Sequence, residues 1–235
     1  KLGSTTVYSF GVTYYPHSCN ERFYAGAGTE DFPYLIKDMV LKKGSTQLQH
    51  FLESTAYTSA HVVLLSDIDM KDATVNTNWY YTGTFDGNGH TISNIKFRRL
   101  NSVYGAAMFG RLRGTVRNLV IQNATSQYSL SPNDSTKAEN NYAAILAGTL
   151  SGTIENCKVV NSTVDLSVTK SGAYETDHHA LIAGGVVARV YPEGRLDTVV
   201  CENTTVKVSN PSILGGGSNP YSPGWATAGG VVGVV

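Results

Sequence analysis

Six times along the chain an apolar residue is followed, three positions on, by an apolar pair spaced by one. The pattern holds at Ile36, Met39, Leu41; Leu65, Ile68, Met70; Ile92, Ile95, Phe97; Val116, Leu119, Ile121; Ile154, Cys157, Val159; and Leu196, Val199, Cys201. The copies follow one another at steps of 29, 27, 24, 38 and 42 residues. Repetition is plainest between GTVRNLVIQNAT at 114–125 and GTIENCKVVNST at 152–163. In a strand, side chains alternate faces, so Leu119 and Ile121 share a face while Val116 points the other way. All three reach one interior only if the backbone turns a corner between them.

The second residue of that corner reads Asp38, Asp67, Asn94, Asn118, Asn156 and Thr198. Asn and Asp tolerate the left-handed backbone that tight corners demand. Asp67, Asn94, Asn118 and Asn156 are therefore expected to stack as a structural corner column, with Thr198 the most irregular member. One corner per repeat and short buried strands predict a parallel β-solenoid of about six rungs. A second column, AAMFGRLRG (106–114), ILAGTLSG (145–152), GGVVARVYPEG (184–194) and GGVVGVV (229–235), supplies small residues where neighbouring rungs approach closely. The longer steps then hold excursions at 124–142, 164–180 and 204–226.

STQLQHFLES at 45–54 reads as one helix, with Thr46 as N-cap, Gln49 three residues on, and Leu48, Phe51 and Leu52 on one face. It is expected to cover the open end of the first rung, where unpaired strand edges invite aggregation. The chain thus divides into residues 1–25, unassigned; 26–61, cap strand and helix; and 62–235, β-helix repeats, expected to be cut short at the C-terminus because the chain stops on an apolar run.

GTEDFPYLI (28–36), LLSDIDM (64–70), TGTFDGNGHTISNIKF (82–97) and the Gly-Gly-apolar-Val-Gly run at 229–233 resemble the GLUG-motif proteins of bacterial surfaces. Those are frequent among large surface proteins and candidate adhesins of gut Bacteroidetes, and the motif also occurs in some immunoglobulin A proteases. The resemblance covers roughly residues 26–235. It implies an all-β, right-handed parallel β-helix with an N-terminal α-helical cap, and extracellular exposure. It implies no catalytic activity, since the shared residues are turn and core residues.

Composition agrees with that setting. Lys plus Arg equals Asp plus Glu, 18 each, which gives no basic footprint for nucleic acid or anionic membrane. No apolar run is long enough for a membrane span. Enzymes on β-helices gather carboxylates on the outer face of successive rungs. The outward columns read here Val40, Asp69, Lys96, Val120, Lys158, Val200 and Lys42, Lys71 or Asp72, Arg98, Gln122, Val160, Glu202, with no carboxylates side by side. No enzyme, cofactor or metal is expected. ETDHH (175–179) reads as a solvated loop, and Asp67, Asp69 and Asp86 as turn residues before calcium ligands.

Sequons stand at Asn123, Asn133, Asn161 and Asn203. Three share one repeat position, so a turn column explains them better than glycosylation. Cys157 and Cys201 fall two positions out of register, about 8 Å apart at the α-carbon, and should stay free thiols; Cys19 has no obvious partner.

Aromatics supply the binding candidates: Trp79, Tyr80, Tyr81, Tyr128, Tyr142, Tyr174, Tyr221 and Trp225, with Tyr191 beside them. Rigidly mounted aromatics suit glycan or protein recognition, the alternative being that they fold back over the solenoid's apolar flanks. The expected function is a secreted or cell-surface adhesin or ligand-binding β-helix within a longer bacterial protein. A non-binding stalk and a carbohydrate-active enzyme with a loop-built site are the rivals.

Overall fold

The computed structural model describes residues 22–41, 44–77, 80–98, 105–130, 140–168, 180–209 and 226–235. The chain winds as a parallel β-helix. Its first turn holds β1 (Tyr34–Ile36) and the helix α1 (Gln47–Glu53); the second holds β2 (Val62–Leu64), β3 (Ile68–Asn76) and β4 (Tyr80–Tyr81). The third runs through β5 (Thr84–Asp86), β6 (Thr91–Arg98) and β7 (Phe109–Leu112). The fourth contains β8 (Thr115–Arg117), β9 (Val120–Gln122), β10 (Thr125–Leu130), β11 (Asn140–Ala143) and β12 (Ala147–Leu150). The fifth contains β13 (Thr153–Val160), β14 (Thr163–Val168), β15 (Ala180–Gly184) and β16 (Val187–Val190). The sixth contains β17 (Arg195–Glu202), β18 (Thr205–Ser209), β19 (Ala226–Gly229) and β20 (Val232–Val234).

Each turn pairs in parallel with the next, so like residues stack along the axis. One inward column runs Tyr34, Val62, Phe85, Val116, Ile154 and Leu196, which counts out six rungs. A second runs Ile68, Ile92, Ile121, Val159 and Cys201. The interior columns of the middle turns are fully buried, and those of the sixth turn only partly. Ser126 is an inward hydroxyl whose desolvation is offset by donation to the Ala106 carbonyl at 2.7 Å.

These columns correct the register read from the sequence. Ile92 stands with Ile121 and not with Val116, whose partner is Phe85. The cause is the corner itself: between Phe85 and Ile92 the chain makes a wider turn through Gly87, Asn88 and Gly89, where later rungs use a single left-handed residue. Asn88 (φ 51°) and Gly89 (φ 80°) are left-handed there, and the Asn88 amide donates to Asp86 Oδ1 at 2.8 Å. The apolar spacing therefore matches two different corners. Leu65 is likewise exposed rather than inward, and after Ile36 the chain leaves for α1 without repeating the pattern.

Every turn from the third on has two left-handed corners. The first corner holds Asn118 (φ 52°), Asn156 (φ 49°) and Thr198 (φ 50°). The second holds Asn94 (φ 55°), Asn123 (φ 53°), Asn161 (φ 51°) and Asn203 (φ 48°). The three sequon asparagines of one repeat position are thus corner residues; Asn133 lies outside the described residues. Asn94 belongs to the second corner, not to the column of Asn118 and Asn156. Asp67 is not left-handed; its carboxylate accepts from the Thr91 amide at 2.8 Å and the His90 ring at 3.2 Å. In the second turn Lys71 (φ 49°) and Asp72 (φ 61°) make the corner instead.

Each corner column is tied by a side-chain amide ladder headed by an aspartate. Asn156 Nδ2 donates to Asn118 Oδ1 at 2.8 Å, and Asn118 Nδ2 to Asp86 Oδ1 at 3.1 Å. On the second corner, Asn123 Nδ2 donates to Asn94 Oδ1 at 3.2 Å and Asn94 Nδ2 to Asp69 Oδ1 at 2.8 Å. The Asn94 amide beside it, then the Lys71 backbone amide, hold the Asp69 carboxyl below its ordinary range. Asp69 and Asp86 are engaged in these turns.

Thr198 takes the same backbone as its neighbours, contrary to the irregularity expected of it. Its hydroxyl turns to Asp197 Oδ1 at 3.0 Å instead of joining the ladder. A β-branched residue is strained in that region. Replacing Thr198 by Asn is therefore expected to raise stability by about 1 kcal/mol. Urea denaturation would check it, and a loss would show that Asp197 needs the threonine.

α1 forms as its residues dictate. Thr46 caps it, Oγ1 accepting from the Gln49 amide at 3.0 Å, and Gln47, Leu48, Phe51 and Leu52 are buried. Phe51 meets Phe85 at 5.9 Å and Tyr81 at 5.8 Å between ring centroids, which seats the helix against the interior of the second and third turns. Phe23, from the unassigned segment, joins by stacking on Tyr34 at 4.3 Å.

Cys157 and Cys201 are free, as their register requires: Cys201 pairs with Val159, not with Cys157. Burial pushes the Cys157 thiol up to about 11 and raises that of Cys201. In a Cys19→Ser background at pH 8, an aromatic disulfide reagent is expected to label Cys201 at least about tenfold faster than Cys157. The raised thiol also sets a sign. Below the ordinary thiol range both states are protonated; above it the unfolded chain ionises first, so stability falls as pH rises toward 11. Equal labelling rates would show that the interior opens far more readily than its packing implies.

Candidate binding surface

The outer faces of two adjoining sheets carry the residues that could meet a ligand. In the sheet β4–β7–β12–β16–β20, Leu112, Leu150 and Val190 point inward behind Tyr81. Alternation then turns their predecessors outward, and the register lines up Tyr80, Arg111, Thr149 and Arg189 side by side, with Val234 beyond. Tyr191 follows β16 on the same face. The Arg189 guanidinium lies 5.0 Å and that of Arg111 5.8 Å from the centre of its ring.

The three-stranded sheet β11–β15–β19 turns Tyr142, Ile182 and Thr227 outward. Tyr142 and Ile182 are nonetheless buried, in a small apolar cluster with Ala107, Ala144 and Ala188. The Tyr142 hydroxyl accepts from the Arg189 side chain, and that bond is the main reason the guanidinium's proton affinity is raised. Arg111 Nε, Thr149 Oγ1 and Thr227 Oγ1 are buried with no hydrogen-bond partner.

The structure sorts the sequence candidates. Trp79, Tyr174, Tyr221 and Trp225 lie outside the described residues, as do Cys19 and ETDHH. Tyr80 is exposed, 42% of its surface being accessible. Tyr81 is an interior residue: its ring stacks on Phe109 at 4.5 Å, its hydroxyl donates to the Ala60 carbonyl at 2.6 Å, and burial raises its ionisation range. Tyr128 does not sit in a loop, because β10 runs to Leu130 and holds it in an inward column with Leu166 and Val208. Tyr142 is buried on the outer side. Sequence reasoning missed Arg111, Thr149 and Arg189, although they occupy one offset in FGRL, AGTL and VARV.

The corner flank also departs from expectation. Glu155 and Asp197 are register partners on β13 and β17, so adjacent rungs do place two carboxylates side by side. The outward columns counted from the sequence did not include this one, which also holds Asp86 and Arg117. Arg117 Nε neutralises Asp86 at 2.8 Å.

The chain is thus a parallel β-helix with an aromatic and basic strip on one flank. No protein-family model matches it. It is 34% identical over 119 residues to Halomucin of Haloquadratum walsbyi, a match spanning 43% of this chain and 1% of Halomucin's length. Among solved structures it is similar to a Bacteroides ovatus protein provisionally described as an immunoglobulin A1 protease, at 18% identity and a TM-score of 0.47, covering 90% of this chain and 74% of that one. No helix among the described residues is long and apolar enough to cross a membrane.

Proposed function

We propose that this β-helix belongs to a longer extracellular surface protein of the adhesin type and binds a glycan or a surface protein through its outer flank. The carrying observation is the outward row Tyr80, Arg111, Thr149, Arg189 on paired strands, with the Tyr191 ring centre 5.8 Å from the Arg111 guanidinium and 5.0 Å from that of Arg189. A scaffold locked by amide ladders holds such a row at little entropic cost. The stretch shared with Halomucin supports the extracellular setting. A glycan array with the purified chain tests the reading. Binding that Tyr80→Ala weakens supports it; an empty array together with no capture of surface proteins would leave a stalk.

Glu155 beside Asp197 favours a second reading, hydrolysis of a sugar bond. A reducing-end assay on the same polysaccharides decides it. Product that Glu155→Gln and Asp197→Asn each abolish would make the chain an enzyme.

A further inference from the structure

We propose that Arg111, Thr149 and Arg189 form a site for an oxyanion group of an acidic polysaccharide, a uronate carboxylate or a sulfate ester, with Tyr80 as the platform for a neighbouring sugar ring. The proposal rests on the binding reading above and names its ligand class.

Three observations carry it. The first is uncompensated charge. The ion pairs of the described residues join Lys96 to Asp72, Arg117 to Asp86, Lys158 to Glu202 and Lys207 to Asp165, while Asp67 is hydrogen-bonded to the His90 ring. Among the described residues no carboxylate is paired with Arg111 or Arg189.

The second is orientation. Both guanidiniums lie at cation–π distance from the Tyr191 ring, and each is a planar fork of N–H edges. Those edges are what a carboxylate or sulfate grips in bidentate fashion. Tyr142 holds Arg189 from the side with one hydrogen bond, which fixes its direction. The two arginines flank Thr149, so their α-carbons stand about 10 Å apart across two strand spacings. Long side chains converging from that distance close on one small anion or bridge two anionic groups of a polymer.

The third is an unmet hydrogen-bond demand at the same place. Thr149 is 2% exposed, its Oγ1 has no partner, and it stands between the two arginines; Arg111 Nε beside it is also buried and unpartnered. Buried polar atoms without partners are uncommon in native proteins and mark places where another group completes the bonding. Both donors are closed to solvent in this structure, so an oxyanion accepts from them once the side chains over them part. Tyr80, exposed and paired with Arg111 one strand further, adds an aromatic face of the kind pyranose rings stack on.

Titration calorimetry of the whole chain with oligogalacturonate, with a chondroitin sulfate oligosaccharide and with neutral dextran oligosaccharide tests the site and separates the two anion sources. At least one acidic probe should bind, weakening as salt is raised, and dextran should bind at least about tenfold less well. Arg111→Gln and Arg189→Gln should each lower that affinity about tenfold. Arg111→Lys should rescue only part of the loss, because a point charge replaces a fork. Arg195→Gln, an exposed arginine off this face, should change nothing. Circular dichroism melting checks that the variants remain folded. Equal binding of acidic and neutral probes, indifference to both glutamine variants, or no binding of either acidic probe would overturn the proposal. In that last case, array hits among neutral glycans or proteins would leave the broader binding reading standing, whereas an empty array would remove both.

Discussion

Gly114→Ala is expected to destabilise the chain by about 3 kcal/mol. Gly83, Gly114 and Gly152 stack at the corner that opens successive turns. A β-carbon on Gly114 would lie 2.0 Å from the Gly83 carbonyl oxygen and 2.6 Å from the Thr82 carbonyl carbon. Those atoms are backbone, and they are pinned: Gly114 donates to the Tyr81 carbonyl at 3.0 Å and Thr115 to that of Gly83 at 3.0 Å. Relief requires the turns to separate, which breaks the pairing of β5 with β8. Gly89→Ala is the control. Nothing lies within 4 Å of a β-carbon there, so only its left-handed backbone (φ 80°) resists, at about 1 kcal/mol. Guanidinium denaturation of the two variants measures the difference, and equal midpoints would refute close stacking of the turns.

Asn118→Val should cost a similar amount, about 3 kcal/mol, by a different route. Valine at φ 52° is strained, and its loss cuts the ladder on both sides, stranding the Asn156 amide and removing a donor from Asp86. Asn118→Gly separates the two contributions. Glycine accepts the backbone freely but carries no amide, so it should lose only the ladder's share, about 1 to 2 kcal/mol. A valine variant no worse than the glycine variant would mean that backbone strain contributes nothing.

The corners were legible because they break strand parity. Val116, Leu119 and Ile121 cannot all face inward without a bend, and a bend needs residues that tolerate positive φ. The register of the early turns was not legible from the same spacing. Ile92, Ile95 and Phe97 straddle the second corner with the spacing that Val116, Leu119 and Ile121 use at the first, and the longer turn after Asp86 hides the offset. The second corner showed itself only as a column of sequons, which chemistry and geometry explain equally well until Asn123, Asn161 and Asn203 are seen left-handed.

The binding candidates were harder still. Counting aromatics near excursions cannot distinguish Tyr80 from Tyr81, whose adjacent positions in β4 put one in solvent and the other behind Phe109. Arg111 and Arg189 are unremarkable in sequence because the residue linking them is a threonine one turn away. Only pairing β7 with β12 and β12 with β16 brings them together.

The stacking of unequal turns has a mechanical consequence. Each turn pairs only with its neighbours along the axis, so tension applied along the chain would peel the coil from an end, one turn at a time, instead of rupturing it whole. The turns differ in contour length while their rungs do not. Successive extensions in a pulling experiment would therefore be unequal, and the length of each jump would name the turn that had come away.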